Sequence, residues 1–115
     1  MSLKKLLKKS PEKILFICTG NTCRSPMAAA LACDIFKRSG ITAEAFSAGT
    51  AVFYSGQRAS RHAVSVMEGE GIDLKPHRAR GVSQEIIDGS DLILTMTGAH
   101  KAALLKAFPT ANNWR

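Results

Sequence analysis

Residues 13–26 constrain the fold of this chain more than any other stretch of the sequence. Residues 14–17 are a short apolar run, which is typical of a strand buried on both faces. Gly20 and Asn21 follow, and these two residue types accept unusual backbone angles. The pattern predicts a strand and then a tight loop, with Cys18 at the point where the strand becomes the loop.

A helix is expected directly after this loop, with Ser25 as its N-cap and Pro26 as its first residue. Five residues separate Cys18 from Arg24, and a loop of this length before a helix can curl so that its N–H groups point inward. Such a setting lowers the pKa of a thiol, and the Arg24 guanidinium can bind two oxygens of one phosphate. These groups suit in-line attack on phosphorus, which gives a phosphocysteine that water then hydrolyses.

The nine residues 18–26 resemble the phosphate-binding loop of the low-molecular-weight protein tyrosine phosphatases. The resemblance implies that Cys18 is the nucleophile and Arg24 the phosphate clamp. It also implies that Asn21 holds the loop in shape and that the Ser25 hydroxyl hydrogen-bonds the thiolate. The other loop residues are expected to bind the phosphate or stabilise the loop: Thr19, Gly20, Thr22 and Cys23.

Thr22 bears on the substrate. Phosphotyrosine members of this family usually carry a bulky aliphatic residue at this position, whereas the bacterial protein arginine phosphatases carry threonine, so the loop resembles the arginine branch. A small polar side chain can accept a guanidinium N–H, while an aliphatic one would pack on a phenyl ring. The resemblance therefore implies a phosphorylated protein as substrate, with phosphoarginine and phosphotyrosine both open.

Other interpretations of the cysteines remain. Cys18 could be a small buried residue in an ordinary strand–loop–helix connection. A zinc site at Cys18 and Cys23 would need a second Cys or His pair at ligand spacing, which the sequence lacks, so neither a metal nor another cofactor is expected. The thioredoxin-coupled arsenate reductases share the loop, but they need further cysteines downstream, and none follows Cys33. We expect instead a reversible disulfide between Cys18 and Cys23, as in similar phosphatases.

Length and charge suggest one domain with a basic tail. The chain has 115 residues, a net charge of +7, and five Lys within residues 1–13. We expect residues 1–12 to be a disordered tail, with binding to an anionic membrane or nucleic acid as the alternative, and residues 13–115 to form the phosphatase domain. No stretch approaches the ~20 apolar residues of a membrane span, and three cysteines fit a reducing cytosol. A cytoplasmic protein without a nucleic-acid partner is therefore expected.

Hydrophobic spacing and turn residues predict the remaining elements. Helices are expected at residues 25–38, 60–71, 83–89 and 99–108, and strands at residues 41–47 and 91–96. Repeated strand–helix alternation predicts an α/β fold with a parallel sheet. The family resemblance implies a three-layer sandwich with strand order 2-1-3 and a fourth strand outside the third.

The expected general acid is missing. Members of the low-molecular-weight protein tyrosine phosphatase family continue with a fourth strand, an Asp-Pro loop that supplies the general acid, and a last helix. The sequence contains four aspartates, and none precedes a proline: Asp34, Asp73, Asp88 and Asp91. We therefore expect either a domain truncated at its C-terminus or a member without its acid, and the general acid is unknown. An inactive or truncated phosphate- or phosphoprotein-binding module is the alternative function, and the unpaired edge of the third strand invites self-association.

Several other residues are expected to matter less. Phe53 and Tyr54 either line the mouth of the phosphate pocket or lie incidentally on a surface loop. His62 and His100 are expected to be ordinary helix residues without a role in the chemistry. Residues 76–80, which include two arginines, are expected to form a solvated charged turn.

Overall fold

A computed structural model describes residues 12–109 of the chain. Its elements are β1 (Lys13–Cys18), α1 (Arg24–Arg38), β2 (Glu44–Gly49), α2 (Arg61–Gly69), α3 (Gln84–Asp88), β3 (Leu92–Thr95) and α4 (Gly98–Ala107). The tail expected at residues 1–12 lies outside the described residues except for Glu12, and so does the C-terminal end of the expected domain, residues 110–115.

The three strands form one parallel sheet in the order β2-β1-β3, which confirms the predicted α/β fold and strand order. Cys18, the last residue of β1, lies opposite Gly49, and Ile17 lies opposite Thr95. All three strands therefore end at the same edge of the sheet. In open parallel sheets, ligands bind at this carboxyl edge.

Helices cover both faces of the sheet, so the fold has three layers. Leu15 and Ile17 of β1 are fully buried on one face, where they pack with residues of α3 and α4, Ile87 and Leu104 among them. Successive side chains alternate between the faces of a strand, so Cys18 points to the other face. That face carries α1 over β1 and β2, and α2 packs on α1.

Helix α1 starts one residue earlier than predicted, and Ser25 is not its N-cap. Cys23 occupies the N-cap position without a side-chain capping bond, and Pro26 is the third helical residue. The hydroxyl of Ser25 is instead bonded within the loop, to Cys18 and Asn21. Proline is still tolerated here because the N–H groups of the first turn have no partner within the helix.

Strand β2 runs later than the predicted residues 41–47. Gly40 adopts a positive φ of 68°, and the N–H of Ile41 donates to the carbonyl of Phe36. These contacts end helix α1, so Ile41 belongs to the helix cap rather than to the strand. At its other end the strand reaches Gly49, where it still pairs with Cys18.

Asp91 lies at the amino-terminal end of β1. Its Oδ2 accepts hydrogen bonds from the N–H groups of Glu12, at 3.2 Å, and Lys13, at 2.9 Å. Asp91 is therefore at the end of the sheet opposite Cys18. Among residues 12–109, no helix is long and apolar enough to cross a membrane.

Candidate active site

Cys18 is held at the carboxyl end of β1, where only 3% of its surface is exposed. Its Sγ lies 2.9 Å from the Oγ of Ser25, in the first turn of α1. The Asn21 side-chain amide donates to the same Oγ at 2.9 Å, and this leaves the single hydroxyl hydrogen of Ser25 available for the sulfur. The loop thus provides a hydrogen bond to a thiolate at Cys18.

Asn21 is the structural centre of the loop between β1 and α1. Its φ is 57°, the only positive φ at a non-glycine residue in the described part of the chain, and the residue is completely buried. Asparagine is among the few side chains that tolerate this left-handed conformation. The Asn21 amide donates to Ser25 and Ser47, and its Oδ1 accepts from the Arg80 N–H, each at 2.9 Å. Every hydrogen-bonding atom of this side chain is therefore engaged.

The turn at residues 76–80 is bound to this loop. Both of its arginines are exposed, in keeping with the predicted solvated turn, but its His77 ring and its Arg80 N–H contact Asn21. His77 Nε2 lies 2.7 Å from the main-chain carbonyl oxygen of Asn21. The Arg80 guanidinium donates through Nε to the carbonyl of Ser47 and lies 5.4 Å from the centroid of the Phe46 ring. The contacts of His77 and Arg80 bridge residues 33 to 59 positions apart in sequence, and no local pattern in the sequence indicates them.

Gly49 permits the end of β2 to approach the loop closely. A Cβ at this position would collide with the carbonyl oxygen of Thr19 and would lie 2.7 Å from Cγ2 of Val52. The next two N–H groups donate back to the loop, Thr50 to the Cys18 carbonyl and Ala51 to that of Thr19. Only a glycine fits this contact without moving the loop.

The remaining predicted residues surround the same loop. Arg24 is exposed as the first residue of α1, and its guanidinium makes no bond with residues 12–109, so it is available to an oxyanion. Thr22 is half-buried, and its hydroxyl also has no partner there. Cys23 is half-buried against α2, and Gly20 is half-buried between the two threonines of the loop.

Thr19 connects the loop to α4 through His100, a residue that was expected to be unremarkable. His100 is only 7% exposed, and its Nε2 lies 2.8 Å from the Thr19 Oγ1. Burial, and then the positive charge of Arg24, lower the pKa of His100 below its usual value. The contact spans 81 residues of sequence, so helical spacing around His100 could not indicate it.

The segment from residue 50 to residue 60 begins and ends on the loop between β1 and α1. Ala51 donates to the Thr19 carbonyl, and the Ser60 N–H donates to the Thr22 carbonyl at 2.8 Å. Between these anchors, Phe53 and Tyr54 are 89% and 75% exposed. Two large aromatic side chains are therefore exposed to solvent on a segment that flanks the loop.

Each of the four aspartates has a hydrogen-bonding or ionic partner outside the loop between β1 and α1. Asp34 pairs with Arg38 at 2.8 Å, Asp73 caps the N–H of Lys75, Asp88 accepts from Gln84, and Asp91 binds the start of β1. The part of the chain that the structure describes also contains no group of three Cys, His, Asp or Glu residues that could hold a metal ion. His62 is exposed on α2, away from these contacts.

Comparison with known proteins links these features to one family. Residues 13–113 match the family Low molecular weight phosphotyrosine protein phosphatase. The protein-arginine-phosphatase of Geobacillus stearothermophilus is 44% identical over 104 residues, which are 90% of this chain and 66% of that protein. The chain therefore spans slightly less than two thirds of the length of this relative.

Two solved structures show the same fold. The low molecular weight protein tyrosine phosphatase from T. tengcongensis is 42% identical, with a TM-score of 0.85 over 90% of this chain and 71% of that one. A mutant of the YwlE arginine phosphatase with a phosphorylated active-site serine is 36% identical, with a TM-score of 0.83 over 86% of this chain and 64% of that one.

Proposed function

Because the chain belongs to the low molecular weight phosphotyrosine protein phosphatase family, we propose that it is a cysteine-dependent protein phosphatase that acts through a phosphocysteine. One observation carries this proposal. The buried Cys18 sulfur lies 2.9 Å from the Ser25 hydroxyl, at the start of a loop that leads to the exposed Arg24. Nucleophile, hydrogen-bond donor and cationic clamp are thus placed around one short loop.

In the first step, the Cys18 thiolate attacks phosphorus while the bond from phosphorus to the leaving oxygen or nitrogen breaks. The loop N–H groups and Arg24 bind the three equatorial oxygens, on which negative charge is spread in the transition state. The Ser25 hydroxyl stabilises the thiolate before attack and is free to do so because Asn21 donates to its oxygen. Loop residues Thr19, Gly20, Thr22 and Cys23 contribute backbone N–H groups and shape.

In the second step, water attacks the phosphocysteine and releases phosphate, and the Cys18 thiolate is restored. Both steps are faster with a group that protonates the leaving group and then activates water, which typically contributes about 10²–10⁴ in rate. All four aspartates have hydrogen-bonding or ionic partners elsewhere, so the residues of this chain that we assign to the chemistry are Cys18 and Arg24. The general acid stays unassigned.

We propose phosphoarginine in proteins as the preferred substrate, with phosphotyrosine as the second possibility. The Thr22 hydroxyl is unbonded within residues 12–109 and can accept a guanidinium N–H. The 44% sequence identity to a protein-arginine-phosphatase supports this choice. The exposed Phe53 and Tyr54 flank the loop and would contact the protein that carries the phosphoryl group.

We further propose that peroxide inactivates the enzyme reversibly through a Cys18–Cys23 disulfide. All three cysteines are free thiols, and Cys18 and Cys23 begin and end the same tight loop. Mild oxidation followed by mass spectrometry should yield the peptide linked through these two residues. Sulfinic acid at Cys18 without the linked peptide would contradict the proposal.

Location and partners follow from the same features. Free thiols suit a reducing compartment, so we place the protein in the cytoplasm, with phosphorylated proteins and no nucleic acid as partners. Within the described residues, β3 has no strand on its outer side, and such an edge can pair with a second copy. Light scattering of the 115-residue chain should show concentration-dependent dimers or larger species. A monomer that is stable over the same dilutions would exclude this pairing.

A phosphate- or phosphoprotein-binding module is the second candidate function. The engagement of every aspartate elsewhere favours it, because binding needs the loop and Arg24 but no general acid. A steady-state assay with phosphoarginine and phosphotyrosine proteins separates the two functions. Turnover that disappears in Cys18→Ser, with phosphate binding retained, supports the enzyme. Binding without turnover on either substrate supports the module.

A further inference from the structure

His100 is bonded through both ring nitrogens to side chains of different elements. Its Nε2 lies 2.8 Å from the Thr19 Oγ1 in the phosphate loop, and its Nδ1 lies 3.0 Å from the Thr97 Oγ1 at the N-cap of α4. The imidazole is 7% exposed. It is therefore a buried bridge between the start of the loop and the start of α4.

The hydrogen bonds favour one neutral form of the ring. Thr97 Oγ1 already accepts the main-chain N–H of His100, at 3.2 Å, so its own hydrogen can be donated to Nδ1. Nε2 then carries the proton and donates it to Thr19. An imidazolium would make both nitrogens donors and would require the Thr97 oxygen to accept twice.

The charges around the ring also disfavour an added proton. Arg24 contributes a positive charge from the start of α1, and Lys101 is the next residue on His100's own helix. Cys18 is next to Thr19 at the end of β1. As a thiolate, it would supply a negative charge that offsets these positive charges. The pKa of His100 is lowered, first by burial and then by Arg24, so the ring is neutral at pH 7.

We propose that His100 is a positioning residue that fixes Thr19 through its neutral ring and takes up a proton when an oxyanion in the loop neutralises Arg24. This role rests on the proposed phosphate chemistry of the loop. The proposal extends that chemistry to α4, because anion binding in the loop is then linked to the charge of His100, which contacts the loop through Thr19.

The sign of the linkage follows from the charges. A dianion beside Arg24 removes the repulsion that disfavours the imidazolium, so the pKa of His100 rises on binding. By reciprocity, protonation of His100 tightens anion binding by the same factor. Affinity should therefore increase as the pH falls toward and below the usual histidine value of about 6.5.

The test uses sulfate, which stays dianionic across this pH range, and the Cys18→Ser chain, which lacks the thiol of the proposed nucleophile. NMR follows the His100 ring signals against pH with and without saturating sulfate, and His100→Gln identifies them. We expect the midpoint to rise by about half a pH unit or more with sulfate. The exposed His62 provides an internal control that should not move.

The possible outcomes separate the inference from the proposed function. If sulfate leaves the amide signals of Gly20 and Thr22 unchanged, the loop does not bind oxyanions and the proposed function itself fails. If those amides shift while the His100 midpoint stays in place, the loop binds anions and the role of His100 is wrong.

A second measurement uses variants at both ends of the contact. His100→Gln keeps an N–H donor for Thr19 but cannot titrate, so its sulfate affinity should lose the increase at low pH while changing less than about threefold at pH 8. Thr19→Val removes the contact but leaves a titrating His100 near Arg24, so it should keep the increase in affinity at low pH while lowering the affinity at every pH. A His100→Gln variant that keeps the pH dependence of the parent would overturn the proposal.

Discussion

Asn21 and Ser25 are joined by a buried hydrogen bond of 2.9 Å, and the hydroxyl that accepts it is the one that contacts the Cys18 sulfur. The residue that fixes the backbone of the loop therefore also orients the group beside the proposed nucleophile. Because Asn21 is bonded to Ser47 and Arg80 as well, β2 and the turn after α2 hold this relationship in place.

Two substitutions of Asn21 separate its backbone role from its side-chain role. Asn21→Gly keeps the positive φ but leaves buried partners unsatisfied, and we expect a loss of about 1–3 kcal/mol in stability. Asn21→Ala adds backbone strain of about 1–2 kcal/mol. Urea unfolding gives both values, and phosphatase assays should show reduced kcat in both variants. Wild-type stability and kcat in Asn21→Gly would show that the side-chain network is dispensable.

Gly49→Ala should disturb the loop without replacing Cys18 or Arg24, the two residues assigned to the chemistry. Its Cβ would collide with the Thr19 carbonyl, and the neighbouring contact is backbone that cannot rotate away. We expect destabilisation of about 1–3 kcal/mol and weaker phosphate binding. Gly81→Ala is the matched control, because a Cβ there meets nothing within 4 Å. Equal effects of the two substitutions, measured by urea unfolding, would rule out the close approach as the cause.

Thr22→Ile should shift substrate preference from phosphoarginine toward phosphotyrosine. The substitution removes a hydroxyl that is unbonded within residues 12–109, and it adds an aliphatic surface that can pack on a phenyl ring. The measurement compares kcat/KM for the two substrates in both proteins. An unchanged ratio would mean that Thr22 does not select the substrate.

Acid should destabilise the protein partly through His100. Its pKa is lowered in the folded state, so the unfolded chain binds its proton first as the pH drops below about 6.5. The contribution to stability is fully present above that value and is lost as the pH falls toward the lowered folded value. Urea unfolding between pH 7.5 and 5 should show a smaller loss for His100→Gln than for the wild type. Parallel curves for the two proteins would contradict this assignment.

The sequence predicted the strand–loop–helix unit because its signals are local. An apolar run, Gly20 and Asn21 before a helix, and alternating elements were enough to predict the parallel α/β fold, which the structure confirms. The N-cap of α1 was predicted wrongly. Serine is a common N-cap residue, but the Ser25 hydroxyl can also bond to Cys18, and only the folded loop shows which bond forms.

The surroundings of the loop could not be predicted in the same way. His77, Arg80 and His100 reach it across 56 to 81 residues of sequence, and no local pattern places any of the three beside the loop. Their roles depend on parallel strands ending at one edge and on the turn at residues 76–80 folding back over Asn21. Side-chain patterns along one element carry no information about such contacts.

Phosphorylation of Cys18 during turnover is the most direct test of the proposed function. The 115-residue chain is mixed with p-nitrophenyl phosphate, whose leaving group departs without a general acid, and samples are quenched with denaturant within the first turnover for peptide mass spectrometry. We predict phosphate on Cys18, appearing together with a burst of nitrophenol that approaches one equivalent and precedes a slower steady rate. Nitrophenol release at an undiminished rate by Cys18→Ser, or turnover by the wild type with phosphate never found on Cys18, would contradict the proposal.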